Sequence, residues 1–496
     1  MEISYKQGAA YSVIFSVAAK AFSLISSLAL AFYFGATAQT DIYFYLILAA
    51  ALLNGWLQGI NTGVLLPEFM HQREHDKSKA ISLVNFFLYI YLIASLLIIA
   101  VCWLAPQQIL SFISAFPSYE ISQNLHFMGL GGIYFTSFFL MTFLISLAES
   151  YKLFNIYILG PLNSLLPLIL VIATKKLEVM FIGYILAYLI QITVCVFMLK
   201  KHANWHFGFK KPQFNKKFLN NLTLSQPNNI AWAILLYAPL FMVSATQAGM
   251  ISAVNYSRML SDSTLDIFVS KTTSVAKVKM TAMAAVKNFK TLADTLFRTD
   301  KILMFVLIPF CAFSSVFAYD IVVMFFMRGS FSVVDGQNTA VFLQAFILTI
   351  PLVSLNATFS NLMSSMRIIK ELVPRYLSLA IIFTVLFIIC IKKWGAFAYP
   401  AVFVALYLTL TLFNIFTAKQ FAPFLNYTKH ILYILKLLAI SLLCAFGAKY
   451  MFAFYDGNIF LKIFLNGIFF VVINSALFNL SGDTKQFKEA LNIKWK

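Results

Sequence analysis

A chain of 496 residues with 61% hydrophobic, 17% aromatic and only 11% charged residues, and a mean hydropathy of +0.83, departs from soluble domains, which carry roughly 45–50% apolar and about 25% charged residues. Water-soluble enzymes and disordered chains are excluded, and an integral membrane protein is expected. The formal charge of +19 lies in short patches between long apolar runs, so it reports topology and not a nucleic-acid face.

With about 20 mainly apolar residues per span, the pattern predicts an all-α polytopic membrane protein of about fourteen transmembrane helices. These fall at residues 9–35, 42–66, 80–105, 127–148, 153–174, 178–199, 227–247, 249–272, 302–327, 338–364, 372–391, 396–418, 430–453 and 459–480. The stretch 249–272 is polar on one side. The first apolar run, from Ala9 to Ala36, is too long for a signal-peptide core, so helix 1 is expected to be retained. Loops after even-numbered helices carry Arg73, Lys77 and Lys79, then Lys152, then Lys200, Lys201, Lys210, Lys211, Lys216 and Lys217, then Lys277, Lys279, Lys287, Lys290, Arg298 and Lys301, then Arg367, Lys370 and Arg375. With the termini, about 27 basic residues share that side against about 6 opposite, which makes both termini cytoplasmic. The five cysteines lie in or beside apolar stretches without CxxC spacing, so neither a disulfide framework nor a metal cluster is expected.

The chain repeats itself weakly. FGATAQTD (Phe34 to Asp41) after helix 1 matches VSATQAGM (Val243 to Met250) after helix 7. LAPQQILSFI (Leu104 to Ile113) after helix 3 matches FAYDIVVMFF (Phe317 to Phe326) after helix 9, and Ala148 to Pro161 matches Ser364 to Tyr376. The matches fall in register, which predicts two six-helix lobes in a parallel pseudo-twofold repeat plus two extra C-terminal helices. The expected divisions are an N-lobe at 1–201, a cytoplasmic linker at 202–226, a C-lobe at 227–425, and helices 13 and 14 with a tail at 426–496.

Polar groups at membrane depth are costly unless they face protein or water, so their pattern marks a pathway. Helix 1 carries Ser12, Ser16, Lys20, Ser23 and Ser27 at helical spacing. Helix 2 opens with Asp41 and places Asn54, Gln58 and Asn61 on one face, and helix 8 aligns Asn255, Arg258, Asp262 and Asp266. Helices 3, 6, 11 and 12 read as nearly unbroken apolar runs. Lys20 and Arg258 stand out as cations inside spans, suited to an anionic, phosphorylated substrate. The structural alternative pairs Lys20 with Asp41 and Arg258 with Asp262. Lys436 and Lys462 are expected to snorkel to an interface. Pro161, Pro167, Pro239, Pro309 and Pro351 fall inside spans, as bend points or packing kinks.

His71-Gln72-Arg73-Glu74-His75 fits the HxxEH metalloprotease pattern, but it lies in a short charged loop without a third ligand and is expected to be a solvated loop. His202 and His206 are discounted likewise. No Walker A sequence, GxSxG or dinucleotide fingerprint occurs, so an ATP-driven pump on this chain is disfavoured; no cofactor or metal is expected, and the expected transport requires no covalent chemistry.

Four stretches together resemble one family. They are FGATAQTDIYF (Phe34 to Phe44), Leu-Pro-Glu-Phe (Leu66 to Phe69), NYSRML (Asn255 to Leu260) and MRGSFSVVDGQNTAVFL (Met327 to Leu343). The chain is similar along most of its length to the lipid II flippase family MurJ, also called MviN. That family belongs to the MOP superfamily with Wzx polysaccharide flippases and MATE exporters. The most specific match is Arg328-Gly329, Phe331, Asp335, Thr339-Ala340 and Leu343. The resemblance implies a two-lobed transporter with a central cationic cavity and a groove at helices 13 and 14 for a polyprenyl tail. By it, Asp41 and Arg258 match family residues and Lys20 stands for an arginine. Ser26 and Asn54 replace two further arginines, and Ser257 and Ser261 replace acidic residues.

The expected function is translocation of an undecaprenyl-diphosphate-linked saccharide, with lipid II leading and an O-antigen or exopolysaccharide unit as rival. The expected substrate-binding residues are Lys20, Arg258, Asp41, Asn54, Gln58, Asn61, Asn255 and Asp262. Expected partners are the lipid-linked saccharide diphosphate, membrane lipids and cell-envelope synthesis proteins. A MATE-like antiporter would need more acidic residues deep in the lobes, and a non-transporting scaffold would use the polar stripes as helix glue.

Overall fold

The computed structural model describes residues 5–492 except 211, 213, 215, 367, 422–426 and 456, with side chains from Ile14 onward apart from those of residues 216, 217, 221, 224, 225, 228, 271, 369–371, 421, 491 and 492. Ser12, Lys211, Lys216, Lys217, Arg367 and Lys370, named above, lie outside the described residues or side chains. Every regular element described is helical, because an apolar segment without water must satisfy its backbone groups internally and a helix does so within one segment.

Helices α1 (Tyr5–Phe34) and α2 (Ala38–Ile60) meet at a break where Thr37 and Thr40 form a reciprocal capping box. α2 passes through a π-turn at Asn61–Leu65 into α3 (Leu66–His75). The Asp76 carboxylate accepts the Ser78 and Lys79 amides to open α4 (Lys77–Leu104). There follow α5 (Pro106–Ile113), α6 (Ser118–Gln123), α7 (His126–Ser150), a tight turn at Phe154–Leu159, α8 (Leu162–Thr174), α9 (Val179–Ala203) and α10 (Lys216–Ser244). α11 (Met250–Thr264) crosses a second π-turn, Leu265–Ser270, into α12 (Lys271–Ala285). The chain continues through α13 (Phe289–Val316), α14 (Ala318–Phe326), α15 (Val333–Ser365), α16 (Ile369–Trp394), α17 (Ala398–Phe421), α18 (Tyr427–Met451), α19 (Ile459–Leu480) and α20 (Asp483–Asn492).

Twelve helical runs among the described residues are long and apolar enough to cross a membrane. The other two expected spans are helical as well. The span expected at 227–247 is the end of α10 (Lys216–Ser244), and 249–272 belongs to the polar run α11 to α12. The span expected at 302–327 is corrected: α13 begins at Phe289 and ends at Val316, and α14 starts afresh after Phe317. The break has a counterpart at Ala105, between α4 and α5, so the paired sequences after helices 3 and 9 both form short helices. Pro161 caps α8 and does not lie inside it.

The chain divides into two compact units. The first comprises the chain to Ser252 with Arg328–Phe331 and Leu377–Ile388; the second comprises Ala253–Met327, Ser332–Tyr376 and Ile389 onward. In the first unit α7 packs on α2, α4 and α9, around Phe69, Leu83, Phe143 and Leu147. At Gly183 an added Cβ would stand 2.5 Å from the Pro167 Cα, so α8 and α9 approach as closely as small residues permit. The segment expected as a linker is docked at its start: Trp205 is buried, and its indole donates to Asn85 Oδ1 at 3.0 Å. The Ser330 amide and hydroxyl donate to the Phe32 and Tyr33 carbonyls at 2.8 and 3.1 Å, satisfying the end of α1. In the second unit α13 packs on α15 and α18, α15 on α12 and α17, and α18 on α19.

Candidate functional site

Arg258 lies on α11 in the second unit. Its guanidinium stands over the rings of Phe346 and Phe403, 5.8 and 5.6 Å from their centroids. It also donates to the Tyr399 hydroxyl at 3.3 Å. Asp262, one turn on, approaches only to 4.0 Å and is 52% exposed against 23% for Arg258. The pairing of the structural alternative is therefore present but long, and much of its carboxylate is solvated. Arg258, Asp262, Phe346 and Phe403, with Ser261, Thr349 and Tyr407, line a cavity of about 150 Å³. A planar cation held over aromatic faces keeps edge donors for a second partner, so the cavity is chemically fitted to an oxyanion.

The aromatic wall was not read from the sequence. Tyr399, Phe403 and Tyr407 recur every four residues on α17 and so share one face. Helix 12, read as a nearly unbroken apolar run, is a membrane-length helix that also carries this aromatic face. The same helix carries Thr411 and Asn414, which hydrogen-bond Asn356 of α15 at 2.8 and 2.7 Å. Helix 6 is not unbroken either, since Gln191 donates to Asn163.

The other candidates separate by unit. Asn255 lies one turn before Arg258 and is partly exposed. Lys20 lies in the first unit, exposed on α1. It is fourteen residues, about 21 Å of helix, before the end at Phe34, whereas Asp41 sits just past that end. Asp41 is 2% exposed. Its carboxylate accepts the Gly249 and Ser252 amides at 2.7 Å each and the Ser252 hydroxyl at 2.6 Å, so it fixes the turn that opens α11. Asn54 and Gln58 form two rungs with α7, accepting from Thr142 at 2.9 Å and Ser146 at 3.3 Å. Asn61, at the π-turn, accepts from Tyr91 at 2.7 Å. The Gln58 and Asn61 amide nitrogens are buried without hydrogen-bond partners, an unusual cost at membrane depth.

Lys436 pairs with Asp483 at 3.0 Å and Lys462 with Asp320 at 3.5 Å, which replaces the expected snorkelling. On α3 the His71 and His75 rings sit 5.1 Å apart, and Arg73 donates to the Ser150 carbonyl at 3.1 Å while covering Tyr151. No group of three or more His, Cys, Asp or Glu able to hold a metal ion occurs among the described residues.

Twelve membrane-length helical runs among the described residues, with polar side-chain ladders and a ring-lined cation on α11, define a polytopic membrane protein of the transporter class. The family model described as lipid II flippase MurJ matches residues 30–471, and the chain belongs to that family. A probable lipid II flippase MurJ from Borreliella burgdorferi is 28% identical over 376 residues, covering 72% of this chain and 71% of that protein. Among solved structures, a lipid II flippase MurJ in an inward closed conformation matches with a TM-score of 0.75 at 18% identity, over 94% of this chain and 99% of that one. An inward-facing MATE multidrug transporter of the MOP superfamily matches at 0.62 and 12% identity, over 83% and 94%. These likenesses establish the MOP fold.

Proposed function

We propose that this protein carries lipid II, the undecaprenyl-diphosphate-linked peptidoglycan precursor, from the cytoplasmic to the outer leaflet of the inner membrane by alternating access. Both termini lie in the cytoplasm in this reading, on the side of the basic loops. The observation that carries it is the Arg258 cavity, whose ring-lined guanidinium suits a phosphate oxygen, in a chain of the lipid II flippase family. Lys20, in the first unit, is a further cation offered to the anionic cargo. Asn255 and Asp262 flank Arg258, the rungs at Asn54, Gln58 and Asn61 hold the wall of the path, and Asp41 fixes the opening of α11. Proteins of cell-envelope synthesis are its proposed partners. Transport needs no bond making; the head group must bind the two conformations with different affinity, since equal affinity shifts no equilibrium.

Complementation tests this. Expressed in bacteria depleted of their own lipid II flippase, the chain restores growth and delivers lipid II to the outer leaflet, and Arg258→Ala at equal protein level abolishes both. Failure of the correctly inserted wild-type chain to rescue would refute the lipid II cargo and direct the assay to other lipid-linked saccharides.

A further inference from the structure

Away from the Arg258 cavity, the second unit buries a carboxylate beside an imidazole. Asp300 on α13 is fully buried and His430 on α18 is 5% exposed. The His430 Nε2 stands 3.4 Å from Asp300 Oδ2 without forming a hydrogen bond. Asp300 Oδ1 accepts from the Thr358 hydroxyl of α15 at 2.6 Å, so one carboxylate oxygen is held and the other is not. Among the described residues, neither ring nitrogen of His430 has a hydrogen-bond partner, and neither does the hydroxyl of Tyr427 or Tyr433, about one turn before and after it. Unpaired buried polar groups are costly, and acidic and imidazole side chains inside spans mark proton relays.

A route to the pair is present. His430 and Tyr433 line a cavity of about 470 Å³ between α13, α18 and α20, which reaches the surface at Lys436, 41% exposed. α18 starts at Tyr427, so His430 lies one turn inside a helix end, and water entering there meets polar groups it can bridge. The neighbouring charges have contacts of their own. Lys436 pairs with Asp483 of α20 at 3.0 Å, Lys301 holds its ammonium 5.7 Å over the Tyr433 ring, and Arg298 donates to the Ala490 carbonyl; Lys429 lines the cavity as well. On the remaining sides α15 presents Thr358 and Phe359, and α12 buries Thr273, Ala276 and Met280, none of which titrates. Lys277 and Lys279 of α12 are not buried, and Lys462, the one charged residue of α19, pairs with Asp320. Among the described residues, Asp300 is the carboxylate in ion-pair range of His430.

We propose that Asp300 and His430 form a proton-binding site, loaded through this cavity, whose occupancy tightens α18 against α13. With the neutral ring carrying its hydrogen on Nε2, a hydronium ion gives its proton to Nδ1 and leaves as water. Nε2–H then donates to Asp300 Oδ2 from a cationic ring, which turns the open 3.4 Å approach into a charge-assisted hydrogen bond. The added proton belongs to the pair, since imidazolium and carboxylate each favour the other's charge. The inference is independent of the transported cargo.

The test uses the purified full-length chain in detergent with 15N-labelled histidines. It reads ring-nitrogen NMR between about pH 8 and pH 5, and hydrogen exchange over residues 427–437 corrected for its intrinsic pH dependence. The His430 signals, identified by their loss in His430→Gln or His430→Asn, pass from neutral to doubly protonated in this range, and α18 exchanges more slowly once they have. Asp300→Asn removes the anion and moves the transition about one to three pH units lower. Thr358→Val removes the donor to Oδ1, leaves the carboxylate less satisfied and moves the transition higher. The two variants shift in opposite directions, and either suffices if the other fails to fold. A His430 ring that stays neutral throughout, a transition that neither variant moves, or exchange in α18 that does not follow it overturns the proposal.

Discussion

At the scale of residues, Arg258 and Asp41 illustrate two ways of keeping a charge at membrane depth. Arg258 is faced by rings and has a distant, exposed carboxylate, so its charge stays available. Arg258→Lys keeps the charge but loses the planar fork; with about 1–2 kcal/mol at stake over the rings, head-group affinity should fall roughly five- to thirtyfold, measured as lipid II binding in detergent. Asp41 is consumed by its neighbours. Hydrogen bonds to a charged group contribute about 1.5–3 kcal/mol each, so Asp41→Ala should cost at least about 2 kcal/mol, seen as a lowered thermal midpoint. Arg258 was legible because it falls in an expected span and aligns with Asn255 and Asp262 at helical spacing. Its cage was not, because Tyr399, Phe403 and Tyr407 count among the apolar residues of the run, and nothing in the sequence says which helix their face meets.

At the scale of elements, apolar length located most of the helices, while the breaks depended on backbone detail. Asp300 and His430 escaped notice for such a reason. Residues 289–301 read as a charged loop, yet Leu292, Ala293, Leu296, Thr299, Asp300 and Leu303 form one buried helical face, so α13 starts earlier and takes Asp300 inside. Gly249, in the turn before α11, has φ +91°, and an added Cβ would meet the Ala36 carbonyl oxygen at 2.7 Å. Gly249→Ala should therefore cost about 1–3 kcal/mol and reduce the yield of folded protein in detergent extracts. The π-turn at Asn61–Leu65 carries a surplus residue. Deleting exposed Thr62 should let the turn relax to an α-helix while Leu66–His75 keeps its buried face. Deleting Leu52 in the regular part of α2 would rotate everything beyond by about 100°. Size-exclusion profiles of the two deletions should differ accordingly.

At the scale of the whole molecule, the basic residues predict which loops face which compartment. In a Cys390→Ser background, where the four remaining cysteines are buried, a membrane-impermeant thiol reagent should label Lys175→Cys on intact cells and Lys277→Cys only after permeabilisation. The reverse pattern would invert the proposed topology. The internal repeat was legible in short matched segments because both copies keep their helix breaks, at Ala105 and Phe317. The membership of each compact unit was not, because Arg328–Phe331 returns to the first unit from far along the chain. That return bears on biogenesis. The end of α1 is satisfied by Ser330, 297 residues later in the sequence. At about 5–20 residues per second, a ribosome needs roughly 15–60 seconds to deliver that cap. During synthesis the first helix therefore waits in the bilayer with its terminal carbonyls served by water or lipid headgroups, and its final seating is a late event in assembly.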